Sequence, residues 1–303
     1  MNPNVYLNQT ADQAWVETKY RPSDEEGLLK TNIERVSLKG GTVTLDPFGG
    51  EARKLMDVNG NATLQNNYQT IELALNSRFD SGGQAQVQGR WANQKLNLNA
   101  NTKDFRVVPW THFLPELPLQ IQSGEVDGKF QVTYALQDPV VVKAKATIEN
   151  GRTQLADPKI NLGAKSLETD LEIRYPPDQS PTITGTAKVN QADARIPEDL
   201  VLRNGRSQSQ QARQVRGDIQ FRDQRAQYDL TGELSQGGEF RVRGLSALDL
   251  SESNVLLSGN NIPAALFDQA YALPIQVQSG TVDSNLRIKL RKIKTRTYRD
   301  GQN

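Results

Sequence analysis

The residues best suited to acid–base or metal chemistry are scarce in this sequence, which holds one histidine, His112, and no cysteine. Metal sites and nucleophilic catalysis usually combine a histidine with a second histidine, a cysteine or another activated group. Without a second histidine or any thiolate, most histidine-based catalysis, thiolate metal sites and disulfide bonds are excluded. We interpret His112 as a helix-surface or packing residue, because the matching place in an internal repeat reads Ala264-Ala265-Leu266.

A second candidate for chemistry is the carboxylate pair Glu125 and Asp127, since two carboxyl groups are what acid–base catalysis and glycoside hydrolysis require. The internal repeat keeps one of them as Asp283 but has Thr281 in place of Glu125, so the pair is not a property of the repeated unit. We interpret these carboxylates as turn and strand-face residues. An enzyme acting on a polysaccharide stays open as an alternative, which a cleft with two facing carboxylates would favour.

Two further patterns carry no chemistry. The glycine pairs Gly49-Gly50 and Gly82-Gly83 lack the lysine and the following helix of a phosphate-binding loop, so they predict turns. The tripeptides Asn8-Gln9-Thr10 and Asn61-Ala62-Thr63 match the N-glycosylation acceptor, a pattern that often arises by chance. We therefore predict that the chain is not an enzyme and that it binds no metal and no cofactor.

Composition excludes several other classes of function. The 303 residues include 36 basic and 35 acidic ones, so no net field draws the chain toward nucleic acid, and we predict no nucleic-acid partner. Hydrophobic residues make up 36% of the chain, below the usual share of a globular domain, so a full-sized core is not expected. The longest apolar runs, such as 140–142, are far shorter than the ~20 residues that cross a bilayer.

Large apolar residues recur at every second position through most of the chain, which predicts β-strands with one apolar and one polar face. Gly40-Gly41, Asn66-Asn67 and Asn150-Gly151 each predict a turn between two strands. At roughly 8 to 12 residues per strand, the chain holds about twenty strands. The alternation breaks at 108–114 and at 262–267, where a proline near the start predicts a short helix.

The chain also contains an internal repeat. Residues 117–132 match residues 273–288 at an offset of 156, and 82–89 match 237–244 at an offset of 155. Such self-similarity is typical of proteins built from stacked units. The repeat predicts five parts: a lead-in at 1–30, a first β-groove unit at 31–136, an intervening β segment with a polar loop at 137–213, a second β-groove unit at 214–290, and a basic tail at 291–303.

Two architectures are compatible with these strands. A single sheet of about twenty strands must curl or elongate, and curling with its apolar side inward would form a trough on the order of 90 Å long. An ordinary sandwich, in which the apolar faces bury one another, stays open as the alternative. The duplication and the low apolar share favour the trough. The predicted fold class is therefore all-β, an elongated, curled, taco-like and mainly antiparallel sheet that forms an apolar groove, with short helices at the groove edge.

The residues predicted to line this groove share large apolar side chains at alternating positions of the predicted strands. They are Val43, Leu45, Leu73, Leu75, Leu96, Leu98, Phe130, Val132, Phe221, Leu230 and Val242.

Several of these features together resemble the TamB family, which belongs to the AsmA-like, bridge-like lipid-transfer superfamily. The resemblance lies in the GG turn followed by alternating apolar residues, in the proline-containing short helices, and in the blocks Ser123-Gly124-Glu125-Val126 and Ser279-Gly280-Thr281-Val282. The opening segment Asn2-Pro3-Asn4-Val5-Tyr6-Leu7-Asn8-Gln9, with Trp15 close behind, is similar to the segment after the membrane anchor in the cyanobacterial and plastid branch. The family implies a β-trough that bridges the inner and outer envelope membranes, an N-terminal membrane helix, and a C-terminal domain that meets an outer-membrane assembly protein.

From the trough and this resemblance we expect a lipid-conducting segment in the periplasm or intermembrane space of a double-membrane envelope, within a longer protein anchored in the inner membrane. Its partners would be membrane lipids, with their acyl chains in the groove, and an outer-membrane assembly protein. The alternative is a scaffold or chaperone for outer-membrane β-barrel proteins that acts through a sheet edge. We interpret the basic residues from Lys289 onward as a solvated end rather than a membrane-binding patch.

Overall fold

The computed structural model describes residues 4–10, 15–17, 33–67, 69–113, 119–135, 138–155, 160–176, 180–196, 210–249, 251–264 and 279–291. Almost all of these residues lie in strands, as their alternating pattern predicts. The strands are β1 (Asn4–Gln9), β2 (Trp15–Glu17), β3 (Arg35–Asp46), β4 (Arg53–Gln65), β5 (Thr70–Phe79), β6 (Gln84–Ala92), β7 (Lys95–Arg106), β8 (Leu119–Ala135), β9 (Val140–Leu155), β10 (Asn161–Tyr175), β11 (Thr182–Ile196), β12 (Gln210–Arg222), β13 (Arg225–Leu234), β14 (Glu239–Ala247), β15 (Glu252–Pro263) and β16 (Thr281–Arg291).

All sixteen strands belong to one open sheet, in which each strand from β4 to β15 pairs with the strands before and after it in sequence. These pairs are antiparallel, whereas β1 runs parallel to β3 and carries β2 on its other side. The predicted fold class is confirmed: the protein is a long, curled, open and mainly antiparallel sheet. The sandwich alternative is wrong, because a sandwich divides its strands between two facing sheets.

Two of the predicted turns are wrong, because the chain passes through them within a single strand. Gly40-Gly41 lies inside β3, and Asn150-Gly151 lies inside β9. At both places a β-bulge interrupts the ladder, with a φ of 62° at Gly40 and 51° at Asn150. Residues that tolerate a positive φ suit a bulge as well as a turn. The strands are consequently longer and fewer than predicted, with up to 17 residues in β8.

The other predicted turns are confirmed. Asn66-Asn67 begins the connection from β4 to β5 with φ values of 53° and 52°, and Gly82-Gly83 ends the connection from β5 to β6 with 98° and 86°. Gly83 cannot be replaced without strain, since a Cβ there would lie 2.4 Å from the carbonyl oxygen of Asp104.

The two long edges of the sheet differ. At one edge, the turn rim, connections are short, and Asn93-Gln94 alone joins β6 to β7. The opposite edge, the loop rim, carries the connection from β7 to β8 with the 3₁₀ helix Val108–Phe113. Toward the loop rim, bulges interrupt the pairing of most strands at a similar level, in the pairs β3–β4, β4–β5, β7–β8, β8–β9, β10–β11, β11–β12, β12–β13 and β15–β16. Because a bulge bends its strand and increases the twist, this line of bulges curves the sheet.

The internal repeat has a counterpart in the strands. The strands β4 to β7 have 13, 10, 9 and 12 residues, and β12 to β15 have the same four lengths. We call β4 to β8 the first repeat and β12 to β16 the second repeat. The boundaries of the five predicted parts stay a prediction, and much of 1–30 and 291–303 lies outside the described residues.

Of the two predicted helices, the first is confirmed as the 3₁₀ helix Val108–Phe113. In the second, predicted at 262–267, Ile262 and Pro263 end β15, and 265–267 lie outside the described residues. Within the ranges given above, no helix has the length and apolar content that crossing a membrane would require.

A single curled layer buries its side chains less than a two-layer domain does. The accessible surface of the chain is 21893 Å², whereas a compact monomer of this length exposes roughly 13,000 Å². Among the described residues, no large side chain is completely buried, and the most buried apolar one, Val58, keeps 3% of its surface exposed. The apolar residues therefore form a face rather than a core.

Candidate functional site: the apolar face of the sheet

Strand register gathers the apolar residues of β3 to β16 on one side of the sheet, which we call the apolar face. Residues directly opposite one another in neighbouring strands point to the same side. One row runs from β7 to β16 through apolar residues and a single glycine: Phe105, Val126, Ile148, Leu167, Val189, Gly217, Leu230, Val242, Leu257 and Leu286. The lining is therefore continuous across ten strands.

The structure places all eleven predicted lining residues on the apolar face. Register aligns Leu75 with Phe130 through β6 and β7, and Leu73 with Val132 through the same strands. They are spread from β3 to β14 and so do not form a compact pocket: Val43, Leu45, Leu73, Leu75, Leu96, Leu98, Phe130, Val132, Phe221, Leu230 and Val242. All eleven are half-buried, which is the exposure of a curled face that neighbouring side chains shield only from the sides.

Glycines on the apolar face allow large neighbours to lie across the sheet. Gly89 lies between Leu73 and Leu98 in register, and a Cβ on it would approach Leu98 Cδ2 to 2.6 Å. Tyr228 covers Gly244 in the same way, and its hydroxyl shares a hydrogen bond of 3.0 Å with Ser246 Oγ. These side chains fill the space above the glycines and keep the lining even.

The opposite, polar face carries amide and charged side chains, several of which form ion pairs across strands. Lys143 Nζ lies 3.5 Å from Glu172, and Arg241 donates to both carboxylate oxygens of Asp229. The hydrogen bond from Arg174 lowers the pKa of Glu172, with a further contribution from Lys143. The hydrogen bond from Arg241 likewise lowers the pKa of Asp229. Both carboxylates therefore stay ionised near neutral pH, and this face stays hydrated.

The polar face is also concave between β9 and β16, where an open cavity of about 1200 Å³ lies against the sheet. Twisted sheets are saddle-shaped, so each face can be concave in a different direction. The charged residues of this cavity are four cations and four carboxylates: Lys145, Lys188, Arg243, Arg287, Glu168, Asp170, Asp218 and Asp229. Their balance gives the cavity no electrostatic preference for an anionic or a cationic ligand.

An aromatic cluster at the loop rim was not predicted from the sequence. The ring centroids of Phe79 and Phe105 lie 4.4 Å apart on the apolar face, and Trp110 of the 3₁₀ helix lies 5.2 Å from Phe79. Phe113 adds a further ring 5.3 Å from Trp110. Phe79 continues the alternation of apolar residues in its strand, which indicated that it lies on the apolar face. Trp110 lies in a segment without such alternation, so nothing in the sequence indicated its position.

His112, Glu125 and Asp127, the residues first considered for chemistry, each have a defined place in the fold. His112 is exposed on the 3₁₀ helix, close to Gly50. Glu125 lies 3.6 Å from Arg106, and Asp127 Oδ1 accepts a hydrogen bond of 2.6 Å from the amide of Asp104 at a bulge. Glu125 and Asp127 thus lie on the polar face of β8, each beside a residue of β7.

Known proteins give no direct indication of what the apolar face does. No protein-family model, no curated protein and no solved structure matches the chain. The resemblance to the TamB family stays a prediction, and the distinguishing features of the chain are its single curled sheet and its continuous apolar face.

Proposed function

We propose that the protein carries the acyl chains of phospholipids or glycolipids along its apolar face, between the inner and outer membranes of a double-membrane envelope. The observation that carries this proposal is the continuity of the apolar face across β3 to β16, which no second sheet covers among the described residues. Large uncovered apolar surfaces on a protein mark sites for ligands, membranes or partners.

The dimensions of the apolar face suit lipid tails. With strands ~4.8 Å apart, β3 to β16 extend over roughly 60 Å. That length is about twice the ~30 Å hydrocarbon core of a bilayer, so several tails can lie one after another. A side-by-side series of strands with the same apolar face offers the tail an equivalent contact at each step along the sheet.

The energetics favour a continuous lining over separate pockets. Exposing a tail of about sixteen carbons to water costs on the order of 12 kcal/mol, at about 0.8 kcal/mol per methylene. A lining that accompanies the tail throughout its movement removes most of this barrier. The headgroup stays in water, and the transport requires no bond to be made or broken.

The cellular context of the proposal rests on the resemblance to the TamB family. It assigns the chain to the periplasm or intermembrane space, as part of a longer protein anchored in the inner membrane. It also adds an outer-membrane assembly protein as a partner at the receiving membrane.

Photo-crosslinking at two adjacent residues of β7 tests the proposal. Leu98 lies on the apolar face, and its neighbour Asn99 lies on the polar face at the same height. A photoreactive phenylalanine analogue at either position is irradiated after incubation with phospholipid vesicles. We expect lipid adducts at position 98 and none at 99. Equal labelling at both positions, or no adduct at 98, contradicts the proposal.

One observation favours the alternative, a scaffold or chaperone for outer-membrane β-barrel proteins. In the part of the sheet that the structure describes, β16 is an end strand that pairs with β15 alone. An unpaired strand can accept an extended segment of a client. Its charged residues Arg287, Lys289 and Arg291 oppose such pairing. A crosslinker in β16 that captures an unfolded barrel protein, combined with no lipid at Leu98, would favour this alternative.

A further inference from the structure

Three hydroxyl groups lie close together on the apolar face of the second repeat. Tyr228 Oη lies 3.0 Å from Ser246 Oγ, and Ser253 lies directly opposite Ser246 in the neighbouring strand β15. Residues opposite one another in an antiparallel pair have their Cβ atoms about 4.5 to 5.5 Å apart. We call these three residues the hydroxyl cluster. It interrupts a face that is otherwise lined by apolar side chains.

The lining is low around the two serines of the hydroxyl cluster. Ala226 lies opposite Ser246 in β13, so three neighbouring strands carry small side chains in one row, from Ala226 through Ser246 to Ser253. Phe221 continues this row into β12, and the ring of Tyr228 borders it on the side of the loop rim. A group of a bound ligand can therefore approach the serines between larger neighbours.

Both serines are buried, and one of them has an unsatisfied hydroxyl group. Ser246 and Ser253 keep 9% and 8% of their surface exposed. Tyr228 satisfies Ser246, whereas the hydroxyl of Ser253 has no partner in the part of the chain that the structure describes. Every completely buried side-chain oxygen in these ranges has a partner, so the Ser253 hydroxyl reaches the small surface that its residue keeps exposed. Unpaired polar groups at this burial are rare in native proteins, and a ligand can supply the partner.

The hydroxyl cluster can donate two hydrogen bonds to a ligand. Each serine or tyrosine hydroxyl has one hydrogen to donate. When Tyr228 donates to Ser246, the hydrogens of Ser246 and Ser253 both stay free for an acceptor that lies on the apolar face. The acceptor that fits is uncharged, because a charge among apolar side chains without a counter-ion is strongly disfavoured.

The position of the hydroxyl cluster along its strands suits the linkage between a lipid headgroup and its tails. Ser246 is the next-to-last residue of β14, and Ser253 is the second residue of β15, so both lie close to the turn rim. Toward the loop rim the same face continues through Val255 and Leu257. A diacyl lipid has two uncharged ester carbonyls on neighbouring glycerol carbons, at the boundary between its headgroup and its tails.

We infer that the hydroxyl cluster binds the ester carbonyl groups of a diacyl lipid, with the headgroup at the turn rim and the tails directed toward the loop rim. The inference rests on the proposed function, since it names the class of lipid that the second repeat selects: esters in preference to ethers of the same length. The first repeat has Trp91 and Leu96 in place of the two serines, so it contacts the tails alone.

Photo-crosslinking in a mixture of two lipids tests the inference. The vesicles contain equal amounts of dioleoyl phosphatidylcholine and its dioleyl ether analogue, in which methylene groups replace both carbonyl groups. A photoreactive phenylalanine analogue is placed at Val255, beside the hydroxyl cluster, or at Leu98, the equivalent position of the first repeat. Mass spectrometry of the adducts gives the ratio of diester to diether at each position. Position 98 controls for differences in how readily the two lipids leave the vesicle.

We expect about fivefold more diester than diether adduct at position 255 and equal amounts at 98, because hydrogen bonds from the serines stabilise the ester alone. Equal ratios at the two positions overturn the inference and leave the apolar face as a site for lipid tails. No adduct of either lipid at either position overturns the proposed function itself. The two failures are therefore distinguishable.

Ser253→Ala separates a role in lipid binding from a role in the fold. With the photoreactive residue at 255, we expect the ratio to fall to that at 98. The midpoint of denaturant unfolding should not fall, because the hydroxyl bonds to no described group of the chain. Asn254→Ala, on the polar face of the same strand, is the matched control and should leave the ratio unchanged. An ester excess that persists in Ser253→Ala overturns the inference, whether or not the unfolding midpoint changes.

Discussion

The two repeats share their backbone framework. Gly82 and Gly83 end the β5–β6 turn with φ values of 98° and 86°, and Gly237 and Gly238 end the β13–β14 turn with 103° and 90°. In both turns the same pair of backbone hydrogen bonds closes the loop, at 3.0 to 3.1 Å. The framework of one repeat is therefore reproduced in the other to within a few degrees and tenths of an ångström.

The bulges of the two repeats are also stabilised alike. Asp127 accepts a hydrogen bond of 2.6 Å from the amide of Asp104, and Asp283 accepts one of 2.8 Å from the amide of Asn261. Both donors have a positive φ, 54° and 52°. In each copy, the aspartate three residues after the glycine of the Ser-Gly pair accepts a hydrogen bond at the bulge, so the repeat keeps this aspartate for a backbone reason.

The linings of the two repeats differ in polarity near the turn rim. Leu73, Trp91 and Leu96 of the first repeat are replaced in the second by Tyr228, Ser246 and Ser253. Ser246 and Ser253 are 9% and 8% exposed, so their hydroxyl groups lie within the apolar face. Particular residues are therefore required where the backbone bends, whereas the lining tolerates exchange. Near the turn rim, we predict that the first repeat holds an acyl chain more strongly.

The largest effect is expected at the glycines that both repeats share. A Cβ on Gly60 would lie 2.0 Å from the carbonyl oxygen of Ala74, and one on Gly217 would lie 2.1 Å from that of Asp229. Either substitution by alanine should lower the local free energy of opening by about 2 kcal/mol or more, because backbone must move. Hydrogen–deuterium exchange should show the loss in the strands around the substituted glycine.

Gly49→Ala is the matched control for these substitutions. Gly49 has a φ of 76°, but nothing lies within 4 Å of a Cβ placed on it. Gly49→Ala should therefore lower the free energy of opening only by the strain of a left-handed residue, about 1 kcal/mol. If Gly60→Ala lowers the free energy of opening no more than Gly49→Ala does, the shared framework does not depend on the close approach of strands at Gly60.

The next effect concerns lipid binding by the two linings. Leu98→Asp and Val255→Asp place a charge at equivalent positions, opposite Gly89 and Gly244. Losing contact with two methylenes costs about 1.6 kcal/mol, so Leu98→Asp should lower lipid occupancy by roughly tenfold. Val255→Asp should lower it less, because hydroxyl groups already interrupt the lining there. Asn99→Asp on the polar face is the control, and equal losses at 98 and 255 would contradict the predicted difference.

A smaller effect is expected from the hydroxyl pair of the second repeat. Tyr228→Phe removes the hydrogen bond to Ser246 and should lower the free energy of unfolding by about 1 kcal/mol. Combining it with Ser246→Ala should add little, because both substitutions remove the same bond. Denaturant unfolding of the two single variants and the double variant measures the coupling, and strictly additive losses would show that the bond contributes nothing.

The smallest effect is an acid sensitivity confined to the second repeat. Its Asp229 pairs with Arg241, while the matching residues of the first repeat are Ala74 and Gln86. The pKa of Asp229 in the folded chain lies below its ordinary value of 3.8, so the pair adds stability above pH 3.8 that is lost as the pH falls through the lowered pKa. Hydrogen exchange at pH 7 and below pH 3.8 should show Asp229→Asn reducing this pH dependence in β13 and β14. An unchanged dependence would exclude the pair as its source.

The face of each lining residue could be predicted from the sequence because strand side chains alternate with a period of two, whatever the pairing partner. For Leu73, Leu75 and Phe130, the alternation of apolar and polar residues around them was enough to predict their face. The same local pattern could not separate turns from bulges at Gly40-Gly41 and Asn150-Gly151, since both require a positive φ. Only the pairing of β3 with β4, and of β8 with β9, decides between them.

The aromatic cluster at the loop rim could not be predicted for a related reason. Phe79, Phe105 and Trp110 come from β5, β7 and a segment without periodicity, so their contact depends on how far each strand runs toward the loop rim. Strand length depends on pairing across the sheet, which a single sequence pattern does not encode. The two short hairpins were visible as a repeated GG motif.

Native mass spectrometry of the chain after incubation with phospholipid vesicles tests the central claim most directly. The comparison is between wild type, Phe130→Asp on the apolar face, and Gln131→Asp next to it on the polar face. We predict phospholipid adducts on wild type and on Gln131→Asp, and their loss on Phe130→Asp. Absence of adducts on the folded wild-type chain, or their retention on Phe130→Asp, would contradict the account.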